Sequence, residues 1–233
     1  MSIWSRISAA LAALASGQPL SEVFDRLRTP PERSVAFAIA VIALGAKLAK
    51  ADGAVTRDEV RAFREVFVIP EAEEDNAARV FNLARQDIAG YDAYARRIAA
   101  LFEGGHEVLR DLLEGLFHIA TADGDYHEAE DAMLVQVAEI FGLTEREFRS
   151  LRARCVPDAH PDPYEVLGVT PDMPLARIRR AWKEAVRDSH PDVMIARGVP
   201  QEAIRMAEQR LIALNRAWDE ISAAGSADGE SQG

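Results

Sequence analysis

Apolar residues recur at helical spacing along most of this chain. Ile3, Trp4, Ile7, Leu11 and Leu14 open it, and Glu32 to Lys50 carries an unbroken run from Val35 to Leu44. A membrane-spanning helix needs about 20 apolar residues. Lys47 and Lys50 cut this run short, so it predicts the central buried helix of a bundle. The stretch from Glu71 to Gly105 adds two helical patterns through Val80, Phe81, Ile88, Tyr91, Tyr94 and Ile98. Thr144 to Arg154 makes a short helix. Towards the C-terminus, Ile178, Ala181, Trp182, Ala185 and Val186 form one stripe within Leu175 to Ser189. Ile204, Ala207, Leu211, Leu214, Trp218 and Ile221 form another within Gln201 to Ser222. Such spacing builds amphipathic helices, and two facing stripes joined by a polar loop make a helical hairpin. The predicted fold class is all-α.

Punctuation divides the chain. Pro30-Pro31 separates an N-terminal amphipathic segment, residues 1–29, from a helical domain over 30–154. Pro157, Pro161 and Asp-rich neighbours mark a linker over 155–162. A second module spans 163–223, and the small, polar tail 224–233 is expected to be disordered. The first domain contains a repeat. Ala51-Asp52-Gly53 ends one apolar helix and Ala122-Asp123-Gly124 ends another. Glu59 follows Asp52, and Glu130 follows Asp123, by seven residues each. Each copy therefore reads as helix, Asp-Gly turn, helix. Val60, Phe63 and Phe67 continue the first copy, and Met133, Leu134, Val137 and Ile140 the second.

Composition narrows the function. Hydrophobic residues make up 48% and charged residues 28%, which fits a soluble globular chain. A formal charge of −11 opposes general nucleic-acid binding, which must neutralise phosphates, and broad adhesion to anionic membranes. One cysteine, Cys155, cannot make an intramolecular disulfide or a Cys-rich zinc module. Neither a Gly-rich phosphate loop nor a GxSxG elbow is present, and the chain does not read as an enzyme. Within this acidic chain, Arg177, Arg179, Arg180, Lys183 and Arg187 all project away from the apolar stripe of their helix. A local cationic face of that kind steers an acidic partner.

The basic helix leads into His190-Pro191-Asp192, where Pro191 stops the helix. Ahead of it stands Tyr164-Glu165-Val166-Leu167-Gly168-Val169, and after it Leu214-Asn215-Arg216-Ala217-Trp218. These four pieces, in this order, resemble the J-domain of DnaJ-type co-chaperones. The resemblance implies docking onto a DnaK-type ATPase chaperone and stimulation of its ATP hydrolysis. It further implies that Asp192 pairs with a cationic group of the ATPase while His190 and Pro191 hold the loop shape. The basic face (Arg177, Arg180, Lys183 and Arg187) would then meet an acidic patch. Val193 stands where many members carry Lys, Met194 to Pro200 makes a longer Gly-Pro-containing loop, and no basic fourth helix follows Ile221. The same tripeptide occurs at His160-Pro161-Asp162, without a basic helix before it, and is assigned to turn chemistry.

The repeat in the first domain looks like the tellurite-resistance TerB-type helical domain, and the two modules in this order resemble DjlA-type co-chaperones. The TerB resemblance implies an acidic, metal-linked cluster in which Asp52, Glu59, Asp123 and Glu130 share Ca²⁺ or Mg²⁺ through oxygen ligands. The other reading is structural. Asp-Gly ends a helix, and Thr56-Arg57-Asp58-Glu59 is a capping box at the next helix start. Phe63 and Leu134 occupy the positions where an EF-hand needs its bidentate Glu.

Two functions follow. The first is a co-chaperone whose N-terminal domain selects client, location or a metal signal, with no required cofactor. The alternative is a metal-ion-binding or scaffold protein of envelope or metal stress with a J-like adaptor hairpin. The expected location is the cytoplasm. The N-terminal helix either packs on its own domain or touches the inner face of the membrane peripherally.

Overall fold

The computed structural model describes residues 3–16, 32–51, 71, 90–102, 104–122, 124–157 and 161–230. Ten α-helices and no strand occur among them: α1 Ile3–Ala15, α2 Glu32–Ala51, α3 Tyr91–Leu101, α4 His106–Ala120, α5 Glu128–Ile140, α6 Glu145–Cys155, α7 Pro163–Leu167, α8 Leu175–Asp188, α9 Pro191–Arg197 and α10 Ile204–Glu230. The chain is all-α, as the periodicity requires.

The run Val35 to Leu44 is buried throughout, so α2 is the central helix. It packs on α1, α3, α4 and α5. At Gly45 an added Cβ would lie 2.7 Å from Ile119 Cδ1, and this closeness lets α2 and α4 approach. Helix α4 supplies Val108, Leu112, Leu113, Leu116 and Phe117 to the same core, while α1 adds Ile7. Ile3, Ala10 and Ala13 of α1 are partly buried against that core. No helix among the described residues is long and apolar enough to cross a membrane.

Local chemistry sets the helix ends. Thr144 and Glu147 form a reciprocal capping box at α6, in which Thr144 N–H donates to Glu147 Oε2 at 2.7 Å. Burial would raise the Glu147 pKa, but hydrogen bonds from His106 and Thr144 outweigh it and hold the carboxyl at about 2. Asp162 caps α7 by accepting from Tyr164 N–H at 2.8 Å, with Pro163 in the first turn. The Asp of the first tripeptide is therefore a helix cap, while His160 lies outside the described residues.

A second, smaller core holds Val166, Leu167, Val169, Ile178, Leu214, Ala217 and Ile221. Here α8 and α10 form the expected hairpin. Trp182 and Trp218 stack with centroids 5.1 Å apart, and Trp182 Nε1 donates to Asn215 Oδ1 at 3.1 Å.

Three expectations change. The stretch after Pro191 is a short helix rather than a long loop. Pro191 fits the first helical position, and Gly198, at φ 109°, ends the helix in the left-handed region. The tail is helical through Glu230 rather than disordered from Ala224. Finally, Ala207, read as part of the hairpin stripe, belongs with Met194, Val199, Ala203 and Met206 to the first core.

Candidate functional site

The tripeptide His190-Pro191-Asp192 forms the start of α9. His190 is the N-cap, and its Nδ1 accepts from Asp192 N–H at 3.2 Å. An accepting Nδ1 places the proton of the neutral ring on Nε2. Nδ1 also lies 3.7 Å from Asp192 Oδ2, with the two side chains 59% and 88% exposed. The Asp192 carboxylate is therefore presented to solvent at a helix N-terminus.

Helix α8 delivers the cations. Ile178 is buried and Ala181, Trp182, Ala185 and Val186 are half-buried against the second core, so Arg177, Arg179, Arg180, Lys183 and Arg187 face outward and are exposed. Among the described residues, only Arg187 of these has a carboxylate partner, Asp188 at 3.3 Å. Helix α8 ends at buried Ser189, whose hydroxyl donates to Ala185 C=O at 2.6 Å. The basic face and the tripeptide are thus continuous around one corner.

Behind that corner lies a group that sequence reasoning does not find. Arg197, the last residue of α9, donates through Nη2 to the Asp188 carbonyl. Its Nη1 donates to Glu107 Oε2 at 3.2 Å and pairs with Asp111 Oδ2 at 3.7 Å. Asp111 and Glu114 of α4 are buried and bind Arg210 of α10, whose Nε donates to Glu114 Oε1 at 2.9 Å. Arg154 continues the network, with Nη2 3.5 Å from Glu114 Oε2 and Nη1 donating to Val166 C=O at 3.2 Å. Burial would raise the Glu114 pKa, but Arg210 and Arg154 outweigh it and bring the carboxyl to about 2. Helical spacing marks none of these as a site, because charged residues on a buried helix face show no local signature.

Of the acidic-turn residues, Asp52, Glu59 and Asp123 lie outside the described residues. Glu130 Oε2 accepts from His127 N–H at 2.9 Å, which completes a capping box at α5. This is the role assigned from sequence to Glu59 in the first copy. Gly124 follows at φ 93°, the left-handed turn expected of Asp-Gly. A different set, Glu114, His118 and Cys155, brings one ligand atom each within 4.8 Å. Imidazole, carboxylate and thiolate suit zinc. Yet both Glu114 oxygens are engaged by guanidinium groups, and burial together with Glu114 pushes the Cys155 thiol up, keeping it protonated.

The family model described as Tellurite resistance protein TerB matches residues 38–153. The chain is 26% identical over 216 residues to Co-chaperone protein DjlA of Photobacterium profundum, covering 82% of this chain and 78% of that one. The protein of the same name from Coxiella burnetii is 26% identical over 196 residues, covering 75% and 72%. That of Escherichia coli (strain K12) is 23% identical over 265 residues, covering 95% and 97%. No solved structure matches.

Proposed function

The chain is a DjlA-like, TerB-containing protein, and from that premise we propose that it is a co-chaperone that docks on a DnaK-type ATPase and stimulates its ATP hydrolysis. The observation that carries this reading is the juxtaposition at one corner of an exposed Asp192, 88% accessible, and the outward cationic face of α8. Asp192 offers an anion to a cationic group of the ATPase. His190 and Pro191 fix its direction through the cap. Arg177, Arg180, Lys183 and Arg187 complement an acidic partner surface, which raises the association rate more than the final affinity. In this reading the chain is no enzyme, since the partner hydrolyses the ATP.

The N-terminal unit supplies the specificity: client, location or a metal-linked signal. The chain then works in the cytoplasm beside its ATPase, and any membrane contact is peripheral. A divalent cation at the acidic turns is a separate proposal, to be sought by calorimetry with Ca²⁺, Mg²⁺ and Zn²⁺.

The test is steady-state ATP hydrolysis by a purified DnaK-type chaperone at rising concentrations of this protein. Wild type and His160→Gln should stimulate, while His190→Gln and Asp192→Asn should not. Equal stimulation by all four, or none by wild type, refutes the docking role of the second tripeptide.

A further inference from the structure

A docking loop on a hairpin at the end of a linker would be free to swing. Here it is tied at its back. Helix α9 has two ends with different surroundings. Its first turn carries His190 and Asp192 into solvent, whereas Met194 and, just past its end, Val199 are 1% and 2% exposed within the N-terminal core. Arg197 joins the same end to three groups. It reaches back to the Asp188 carbonyl, which closes α8, and across to Glu107 and Asp111 on α4. Its side chain is only 17% exposed, against 0% for Asp111.

From this geometry we infer that Arg197 is a positioning residue through which the N-terminal helical unit sets the direction of the His190-Pro191-Asp192 corner. The inference rests on the docking role proposed above. The C-terminal end of α8 and the C-terminal end of α9 are both held by one planar guanidinium, and that guanidinium is anchored on α4. The tripeptide lies between the two ends, so its orientation is fixed relative to the N-terminal core rather than only within the hairpin. Arginine suits this task because its fork of donors can bind a carbonyl and carboxylates at once. Lysine, with a single ammonium, can satisfy some of these acceptors but not the whole bridge.

Glu107 is the exposed member of the pair, 44% accessible, and it also binds Arg110 at 2.6 Å. A ligand or client that draws Glu107 away would loosen the corner. The N-terminal unit thereby gains a route to tune chaperone stimulation without touching the ATPase.

The experiment combines the ATPase titration with backbone amide exchange on the full chain, using Arg197→Ala, Arg197→Lys and the milder Glu107→Gln. An unbraced corner spends only part of its time in the competent direction, and apparent affinity falls by that fraction. Arg197→Ala should therefore raise the concentration for half-maximal stimulation about fivefold while leaving the plateau within about twofold. Arg197→Lys should recover part of the loss, and Glu107→Gln should shift in the same direction by less. Amides of residues 189–198 should exchange about tenfold faster in Arg197→Ala, with α4 and α10 unchanged. A wild-type stimulation curve for Arg197→Ala overturns the proposal, as does faster exchange spread over the whole chain, which would make Arg197 a general stability residue. If wild type fails to stimulate, the docking reading falls, and the exchange pattern alone still decides whether Arg197 braces the corner.

Discussion

Arg210 donates through Nη2 to Asp111 Oδ1 at 2.6 Å, with the two side chains 2% and 0% exposed. The partners stand on α10 and α4, so a buried ion pair joins the C-terminal helix to the N-terminal core. Burial alone would favour loss of the Arg210 proton, but Glu114 and Asp111 outweigh it and push its pKa up. Removing one partner of such a group leaves uncompensated buried charge, which costs far more than the intact pair contributes.

Arg210→Met should accordingly destabilise the chain by about 3–5 kcal/mol in urea unfolding. Adding Asp111→Leu to that variant should recover part of the loss, since Glu114 keeps Arg154 and Arg197 keeps Glu107, so no buried charge is left without a partner. A loss below about 1 kcal/mol for the single change would mean that the pair is open to solvent and that the two units are not locked through it.

Acid should act on the same network. The Glu114 carboxyl lies at about 2 in the folded chain against an ordinary 4.5. A carboxyl lowered on folding stabilises above its unfolded value and loses that contribution as pH falls through its folded value. Stability should thus decline between about pH 4.5 and pH 2, by on the order of 3 kcal/mol from this group. Glu114→Gln should be less stable at pH 7 and show a shallower acid decline. Parallel acid curves for the two proteins would remove Glu114 from the account.

How far all this is legible in sequence depends on distance along the chain. The stripe Ile178 to Val186 and its partner Leu214 to Ile221 predict the hairpin, because local periodicity reports which face is buried. The exposed cations of α8 follow from the same projection. Helix α9 escapes that projection although its signals are present: a Pro at the first helical position and a Gly past the last one. Seven residues are too few to show a helical period, so Pro and Gly there read equally well as turn chemistry. Asp111, Glu114, Arg197 and Arg210 cannot be read at all. Arg210 and Asp111 are 99 positions apart, and no propensity or spacing rule links a charge on one amphipathic helix to a charge on another.

Glu130 separates two roles that share one carboxylate. As a cap, it accepts from His127 N–H at 2.9 Å, a bond that the amide oxygen of glutamine can also accept. If the carboxylate acts only as a cap, Glu130→Gln should change stability by less than about 1 kcal/mol, and added Ca²⁺ or Mg²⁺ should shift the melting of neither protein. If either cation raises the wild-type melting temperature but not that of Glu130→Gln, the carboxylate is a ligand and the acidic turn is a metal site.

Gly168 closes α7 at φ 66° and ψ 30°, directly where the Tyr164–Val169 stretch turns back toward the hairpin. A Cβ added there would meet Ser150 Oγ at 3.5 Å, an ordinary contact, so space is not the constraint. Backbone conformation is, because the left-handed region costs an L-residue about 1–2 kcal/mol. Gly168→Ala should lose about that much stability, whereas Gly168→Asn, whose short polar side chain tolerates this region, should lose less. The Val166 carbonyl beside it accepts from Ser150 Oγ at 3.0 Å and from Arg154 Nη1 at 3.2 Å, so a displaced turn would also disturb the junction with α6. Equal losses for Ala and Asn would show that crowding at Ser150, rather than φ, sets the cost.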